Sequence, residues 1–136
     1  MNATGLAVAV VDDEASVRRA LGRLLRSAGY PVEDFEAGEP FLLALDERRF
    51  GCVVLDLHMP GVDGFEVLTR IGRLGHRPPV IVLTGHDSPE SRARVAEIRG
   101  ETAFLRKPID GEVLLQAVET ALEAGQGERE RQESKP

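Results

Sequence analysis

Residues 52–64 read Cys-Val-Val-Leu-Asp-Leu-His-Met-Pro-Gly-Val-Asp-Gly, and this stretch decides the fold. Its first part, residues 52–57, is a short apolar run rich in β-branched residues, which is typical of a strand buried on both faces of a parallel sheet. Two further runs of this kind lie at 6–11 and 80–83. Because stretches with helical spacing lie between the runs, the sequence predicts parallel strands joined by crossover helices.

The stretch after Asp13 shows the helical spacing most clearly. Apolar residues from Val17 to Ala28 recur at i, i+4, i+7, i+8 and i+11, and Gly29 ends the pattern. The opposite side of this helix is predicted to carry Arg18, Arg19, Arg23 and Arg26. The other predicted elements are a strand at 32–35, helices at 39–48 and 65–74, a helix opened by Ser88 and Pro89, a strand at 103–105 and a final helix capped by Asp110.

Five strands and five helices in strict alternation indicate an α/β fold. Right-handed crossovers place helices on both faces, so we predict a doubly wound five-stranded parallel sheet in the flavodoxin-like order 2-1-3-4-5, with three layers, α/β/α. The predicted domain spans residues 1–124. The segment 125–136 has no apolar side chain to bury and its charges balance, so we expect a disordered charged tail or the start of a linker.

The composition limits the classes of protein to consider. With 136 residues, 42% of them hydrophobic and 29% charged, the chain suits one compact domain. The formal net charge of −6 argues against nucleic-acid binding by this chain alone, since a nucleic-acid-binding face needs clustered Lys and Arg.

No apolar run approaches the length of a membrane helix, so we expect a cytoplasmic protein that does not contact the membrane. The single cysteine, Cys52, is predicted to be part of the core.

The carboxyl ends of the predicted strands carry the residues able to do chemistry. In open α/β sheets ligands bind at this edge, between the first and third strands in the order 2-1-3-4-5. The candidates are Asp12, Asp13 and Glu14 after the first strand, Asp56 at the third, Thr84 at the fourth and Lys107 after the fifth. Acids, a hydroxyl and an amine are therefore expected to converge on one site.

Carboxylates at one site repel one another, since two unit charges about 4 Å apart cost about 4 kcal/mol at an effective dielectric constant near 20. Mg²⁺ suits the role of balancing charge, because it prefers carboxylate and carbonyl oxygens and commonly shares a site with phosphate; Mn²⁺ is the expected substitute. Lys107 supplies a second positive charge. Zinc is poorly supported, because His58, His76 and His86 are scattered along the sequence and Cys52 is a single cysteine.

A carboxylate beside Mg²⁺, with an amine and a hydroxyl nearby, can attack phosphorus and form an aspartyl phosphate. The metal and Lys107 would neutralise the oxygens of the transferring group. Each acid alone has a simpler explanation, because acids often cap helices and Asp12 or Asp13 could begin the first helix. For the four strand ends together, chance is a poor explanation.

Four motifs in order match a known family. They are Val-Val-Asp-Asp-Glu at 10–14, residues 53–64 of the opening stretch, Ile-Val-Leu-Thr-Gly-His at 81–86 and Phe-Leu-Arg-Lys-Pro at 104–108. Each is weak alone, but four in order at strand ends are highly specific. Over residues 6–124 the sequence resembles a bacterial two-component response-regulator receiver domain, and among these domains the FixJ-like subfamily.

The resemblance implies a role for each acid at the site. Asp56 would be the phosphoacceptor and a metal ligand, Asp13 a direct metal ligand, and Asp12 a ligand that acts mostly through water. The backbone carbonyl of His58 would complete the protein ligands. The chain would be a signalling phosphoacceptor of a His-Asp phosphorelay rather than an enzyme in the ordinary sense. Its only expected reactions are self-phosphorylation of Asp56 from a phosphodonor and slow autodephosphorylation.

The resemblance also implies a switch. Thr84 would swing its hydroxyl onto the new phosphoryl oxygens, Lys107 would pair with them, and Phe104 would turn inward as Thr84 moves. Pro108 would follow a cis peptide bond that aims Lys107 into the site, which an X-Pro bond permits. Gly85 would leave space for the phosphodonor.

Implied partners are a sensor histidine kinase or a phosphotransfer protein. The surface of the fourth helix, fifth strand and fifth helix would change on phosphorylation, pairing two receivers as a homodimer or binding an effector. Candidate contacts on that surface are Arg92, Arg94, Arg99 and Arg106; a solvated basic face is the alternative interpretation. FixJ-like receivers often precede a helix-turn-helix output domain, and the charged tail would suit a linker to one.

Two features vary from or within the family pattern. Gly100 is followed by Glu101 where an Ala is common, which leaves the shape of the nearby loop and the choice of partner open. His58 and His86 lie two positions beyond Asp56 and Thr84, where side chains can influence the lifetime of the phosphoryl group. They are either pH-sensitive regulators of hydrolysis or solvated loop histidines.

Three rival functions share part of this pattern. A flavodoxin-like cofactor binder would need a phosphate-binding loop after the first strand, where Asp12 and Asp13 would repel a phosphate. A Mg²⁺-dependent phosphohydrolase with an aspartyl nucleophile would need a second acid two residues after Asp56, where His58 stands. An interaction module whose site is no longer used is the third, although every expected site residue is present.

Overall fold

The computed structural model describes residues 5–100 and 102–133, and the side chains of residues 5–100 and 102–125. Strands and helices alternate along the chain, as predicted. The strands are β1 (Val8–Val11), β2 (Val32–Phe35), β3 (Cys52–Asp56), β4 (Val80–Thr84) and β5 (Ala103–Arg106). The helices are α1 (Ala15–Ser27), α2 (Gly38–Glu47), α3 (Gly64–Gly72), α4 (Pro89–Arg99) and α5 (Gly111–Glu133). Glu101, at which the sequence departs from the family pattern, lies outside the described residues.

The sheet has the predicted topology. All paired strands are parallel, and they lie in the order β2-β1-β3-β4-β5, which confirms the doubly wound order 2-1-3-4-5. In the register of the central strands, Val11 lies opposite Leu55 and Asp56 lies opposite Leu83. The carboxyl ends of β1, β3 and β4 therefore meet side by side, at the edge where the candidate residues follow the strands.

Each face of the sheet has its own core, because successive strand residues point to opposite faces. Val10 belongs to a buried cluster with Leu25 of α1 and Leu114 of α5. Its neighbour Val11 belongs to the cluster on the other face, with Leu68 of α3. The three central strands, β1, β3 and β4, are buried on both sides, which explains why they are continuous apolar runs rather than alternating ones.

Cys52 is part of the core, as predicted. Its side chain is fully buried in the cluster beneath α1 and α5. Burial raises the pKa of the thiol to about 12, because the thiolate would lose its hydration there. The group is therefore a protonated, inert thiol that packs as a small hydrophobic side chain.

Three helices begin with a side chain that caps their free N–H groups. Ser88 Oγ accepts a hydrogen bond at 3.1 Å from the N–H of residue 91, and Pro89 occupies the first position of α4. Asp110 Oδ1 accepts from the N–H groups of residues 112 and 113 at the start of α5. Asp63 caps α3 in the same way, at 3.0 Å from the N–H of residue 66. These side chains satisfy amide groups that have no partner inside the helix.

The final helix is longer than expected. It continues to Glu133, into the segment 125–136 for which the sequence predicts a disordered tail or the start of a linker. The longer helix has a local cause: Glu, Arg and Gln dominate this segment, and these residues have good intrinsic helix propensity even where no apolar face is available. Residues 134–136 lie outside the described part, and the division of the chain at residue 124 stays a prediction. Within the described ranges, every helix is too short or too polar to cross a bilayer.

Gly64, the first residue of α3, is expected to be intolerant of a side chain. A Cβ atom there would lie 2.5 Å from the backbone oxygen of Asp56 and 2.6 Å from Cα of Leu57, so the backbone that carries Asp56 would have to shift. We expect Gly64→Ala to lower the free energy of unfolding by about 1–3 kcal/mol. Gly72→Ala, at the end of the same helix, is the control, since nothing lies within 4 Å of its Cβ. Equal urea-unfolding midpoints for the two variants would contradict the expectation.

Candidate functional site

The structure brings the predicted acids together at the carboxyl edge of the sheet. One carboxylate oxygen from each of Asp12, Asp13 and Asp56 lies within 4.8 Å of the other two. Asp12 is fully buried and Asp56 is 2% exposed, while Asp13 faces solvent. Neither Asp12 nor Asp13 is the N-cap residue of α1, which is Glu14. The simpler explanation that they only begin the helix therefore does not account for their positions.

Lys107 is the positive charge inside this cluster. Its Nζ lies 2.9 Å from Asp12 Oδ2, 2.9 Å from Glu14 Oε1 and 3.5 Å from Asp56 Oδ2. Burial alone would disfavour the ammonium, but the ion pairs with Asp12 and Glu14 and the charge of Asp56 outweigh it and raise the pKa of Lys107 above its ordinary value. The amine is therefore charged throughout the physiological range and offsets part of the negative charge of the acids.

The amine of Lys107 offsets only part of the negative charge of the three carboxylates. The remaining negative charge affects the pKa of Asp56. Burial and, after it, the negative charge of Asp12 raise the pKa of Asp56 to about 6, against the opposing effects of Lys107 and of the His58 N–H, which lies 3.3 Å from Asp56 Oδ1. Without further positive charge, the carboxyl group is thus partly protonated near neutral pH.

This shift has a consequence for metal-free protein. The folded protein keeps the proton of Asp56 up to about pH 6, whereas the unfolded chain releases it near the ordinary pKa of 3.8, so folding favours the protonated form. The stability that this group contributes is fully present below about pH 4 and is lost as the pH rises through about 6, a change of about 1–3 kcal/mol. Asp56→Asn should lack this part of the pH dependence and be more stable than wild type at pH 7. Parallel pH profiles of the two proteins, from urea unfolding in chelator, would rule this out.

The acidic cluster fits a small hard cation. Asp12 Oδ2 is buried beside the ammonium of Lys107, 2.9 Å away, and accepts no hydrogen bond of regular geometry from the residues that the structure describes. Carboxylate oxygens from Asp12, Asp13 and Asp56 are the donor type that Mg²⁺ and Mn²⁺ prefer, and the exposure of Asp13 leaves room for the waters that Mg²⁺ retains.

The predicted switch residues lie on the same face of the sheet. Thr84 follows Val82 by two positions in β4, and Val82 lies opposite Phe104 of β5. Thr84 is fully buried, and its hydroxyl donates to the carbonyl of His86 at 2.9 Å and accepts from the N–H of His86 at 3.0 Å. Phe104 is half-buried against the core cluster beneath α3 and α4. The Thr84 hydroxyl is thus held by its own loop in this arrangement.

The remaining predicted site residues lie in the loops that follow β3, β4 and β5. The peptide bond between Lys107 and Pro108 is cis, as the resemblance implies. A Cβ atom at Gly85 would meet nothing within 4 Å, which agrees with open space for a phosphodonor. His58 and His86 are both exposed, and the ring of His58 contacts the edge of the Phe65 ring at 6.3 Å between centroids. Exposure is compatible with either interpretation of these histidines.

Sequence reasoning missed one residue that shapes the site. Arg18 was assigned to the side of α1 away from the core, yet its side chain is only 15% exposed. Its Nη1 donates to the backbone oxygen of Asp12 at 2.7 Å, and its Nε lies 3.5 Å from Asp34 at the end of β2. Arg18 therefore fixes the backbone that presents Asp12. The signal was present in the sequence, because a long cationic side chain one turn after an acidic loop can fold back onto that loop.

The four arginines proposed as contacts of the output surface have different surroundings in the structure. Arg94 lies over the ring of Phe65 in α3, 4.0 Å from its centroid, which turns it away from β5. Arg99 is half-buried and donates to the backbone oxygen of Pro78. Arg92 covers Phe104 at 4.4 Å, and Arg106 is exposed. Arg92, Arg94 and Arg99 therefore each contact a residue of their own domain.

Comparisons with known proteins agree with this geometry. The model of the family described as response regulator receiver domain matches residues 8–119. The transcriptional regulatory protein FixJ of Bradyrhizobium diazoefficiens is 38% identical over 113 residues, which cover 83% of this chain and 55% of FixJ. The chain thus spans about half the length of this curated relative.

Solved structures share the fold over nearly their whole length. The crystal structure of FixJ-N superimposes with a TM-score of 0.78 at 35% identity, covering 87% of this chain and 94% of that one. The chemotaxis protein CheY4 of Vibrio cholerae gives a TM-score of 0.78 at 32% identity, covering 86% and 98%. Sequence motifs, strand order and the acidic cluster thus agree: the chain belongs to the response-regulator receiver domains of two-component signalling systems and is FixJ-like among them.

Proposed function

We propose that Asp56 accepts a phosphoryl group from the phosphohistidine of a sensor kinase or a phosphotransfer protein in the cytoplasm. The observation that carries the proposal is the cluster itself: three carboxylates within 4.8 Å of one another, with the amine of Lys107 3.5 Å from Asp56. A site that only stabilised the fold would often be as stable, or more so, with apolar groups in place of the buried Asp12, Asp56 and Lys107. A reaction that uses these charges accounts for their presence.

The transfer is a displacement at phosphorus. A carboxylate oxygen of Asp56 forms the new bond to phosphorus, and the bond from phosphorus to the donor's imidazole nitrogen breaks, with the electron pair leaving on the imidazole. The ammonium of Lys107 pairs with an oxygen of the transferring group and stabilises its negative charge. Asp56 must be deprotonated to attack, so any positive charge that lowers its raised pKa also increases its reactive fraction at neutral pH.

Asp12, Asp13 and Asp56 would hold the Mg²⁺, together with the backbone carbonyl of His58. When bound, the ion supplies positive charge to the phosphoryl oxygens and to the carboxylates. Asp12 is held for this role by two contacts of its own: its Oδ1 accepts from the N–H of Glu14 at 2.9 Å, and its backbone oxygen accepts from Arg18. The loop after β1 is thus held in place by contacts within the protein.

The new phosphoryl group adds roughly 1.5–2 negative charges and new acceptor oxygens at Asp56. Thr84 would release His86 and donate its hydroxyl to these oxygens, and Phe104 would turn inward as the loop after β4 closes. The surface made by α4, β5 and α5 would change with them and bind a second receiver or an effector. Between transfers, the chain would lose the group slowly by its own hydrolysis.

Intact-mass spectrometry after incubation with a small phosphodonor tests this function. We expect a gain of one phosphoryl mass with Mg²⁺, no gain with chelator, and a slow return to the original mass once the donor is removed. Continuous turnover of an external phosphate ester would favour a phosphohydrolase instead. A metal-independent gain, or none under any condition, would contradict the proposal.

A further inference from the structure

The loop after β4 connects the Thr84 hydroxyl to a pair of charged residues. Thr84 Oγ1 makes both of its hydrogen bonds to the backbone of His86, and Asp87 is the next residue along the chain. The Asp87 carboxylate accepts two hydrogen bonds from Arg92, from Nε to Oδ1 at 2.7 Å and from Nη2 to Oδ2 at 2.8 Å. This is the bidentate geometry in which an arginine pair is strongest.

The same guanidinium lies over the ring of Phe104. Its Cζ is 4.4 Å from the ring centroid, within the range of a cation–π contact. Arg92 belongs to the first turn of α4, a helix with one fully buried side chain, Val95. The contact of Arg92 with Phe104 therefore joins the first turn of α4 to β5.

We propose that Asp87 and Arg92 form a latch that holds Phe104 and the loop after β4 in the unphosphorylated arrangement. This inference rests on the proposed function, since it concerns how Thr84 and Phe104 respond to a phosphoryl group on Asp56. The latch joins both halves of the switch, because one partner lies three residues after Thr84 and the other covers Phe104.

The latch opposes activation for a geometric reason. In the proposed switch, Thr84 releases His86 so that its hydroxyl reaches the phosphoryl oxygens, and the backbone of the loop after β4 moves as the loop closes. Asp87 moves with that backbone, and two short hydrogen bonds to Arg92 allow little movement before they break. Contacts that form in one arrangement and not in the other shift the equilibrium toward the first. Hydrogen bonding from Arg92 also lowers the pKa of Asp87, so the carboxylate stays charged at neutral pH.

Binding of beryllofluoride, a tetrahedral mimic of the phosphoryl group, measures this equilibrium without a partner protein. The probe is titrated into the whole chain in saturating Mg²⁺, and the dissociation constant is read from the amide NMR signals of Thr84 and Lys107. Removing the latch favours the binding-competent arrangement, so Asp87→Asn and Arg92→Ala should each bind about threefold to tenfold more tightly than wild type.

The pair of variants separates the latch from simple electrostatics. Asp87→Asn removes a negative charge and Arg92→Ala removes a positive one, so a field effect on the anionic probe would shift the two affinities in opposite directions. The latch shifts both in the same direction, and the double variant should match Arg92→Ala alone because Asp87 acts through Arg92. Arg94→Ala is the matched control. It removes the same charge from the same helix, but the Arg94 side chain lies over Phe65 rather than Phe104.

The outcomes distinguish the two proposals. Tighter binding by both single variants, with Arg94→Ala at the wild-type value, supports the latch. Opposite shifts, unchanged affinities or an equal shift in Arg94→Ala overturn the latch and leave the function of Asp56 intact. Failure of the wild-type chain to bind beryllofluoride with Mg²⁺ would contradict the proposed function and the latch with it.

Discussion

Replacement of Asp56 by Asn is expected to reduce acyl-phosphate labelling to the level seen without a phosphodonor. The amide is neutral and lacks the nucleophilic oxygen that forms the bond to phosphorus, and the change also removes one of the three carboxylates of the cluster. The fold should survive, because Asp56 is a buried acid whose charged form is disfavoured by burial. Labelling is measured by intact-mass spectrometry in saturating Mg²⁺.

Asp63→Asn provides the matched control for this substitution. Asp63 lies seven residues further along the same segment and caps α3 with a hydrogen bond to the N–H of residue 66, a role that Asn fills equally well. Labelling of Asp63→Asn should equal that of wild type. Undiminished labelling of Asp56→Asn would mean that another acid accepts the group.

Removing the charge of Lys107 is expected to have the second large effect. Lys107→Met keeps most of the side-chain volume but leaves Asp12 and Asp56 buried without the amine that lies 2.9 and 3.5 Å away. An unpaired buried charge is strongly destabilising, although the 13% exposure of Lys107 admits some solvent, so we expect a loss of about 1–3 kcal/mol at pH 7 in chelator. Labelling should also slow, because the transferring group loses a positive partner.

The direction of the pH dependence makes this effect recognisable. Without the amine, the pKa of Asp56 rises further above about 6, so lowering the pH from 7 to 5 protonates it and restores part of the lost stability. Arg106→Met, which removes an exposed cation from the adjacent position, should cost little at either pH. The explanation fails if both variants lose equal stability, or if the loss in Lys107→Met grows as the pH falls.

The fold and the convergence of the site were readable from the sequence for a physical reason. Strands buried on both faces must be continuous apolar runs, so the run that ends at Asp56 was visible without any structure. Parallel strands place their carboxyl ends at one edge, so residues far apart in sequence, such as Asp12 and Lys107, could be predicted to meet. The motifs could therefore be recognised because the parallel sheet requires apolar strands and brings the residues that follow them to one edge.

Contacts between side chains were not readable in this way. Arg18 and Arg94 have the spacing of exposed helix residues, but the first folds back onto the loop of Asp12 and the second lies over Phe65. The bidentate pair of Asp87 and Arg92 depends on how the loop after β4 turns into α4, which sequence spacing does not determine. Periodicity identifies the face of an element, but the rotamer of a long side chain is set by what packs beside it.

Mapping the phosphorylated residue tests the central claim most directly. Borohydride reduces an aspartyl phosphate to homoserine, so the modified peptide can be identified by mass spectrometry after proteolysis. We predict homoserine at position 56 in protein treated with phosphodonor and Mg²⁺, and none when chelator replaces the metal. Homoserine at position 12, 13 or 63, or an equal yield at position 56 in chelator, would contradict the claim that this acidic cluster holds a metal beside the phosphoacceptor.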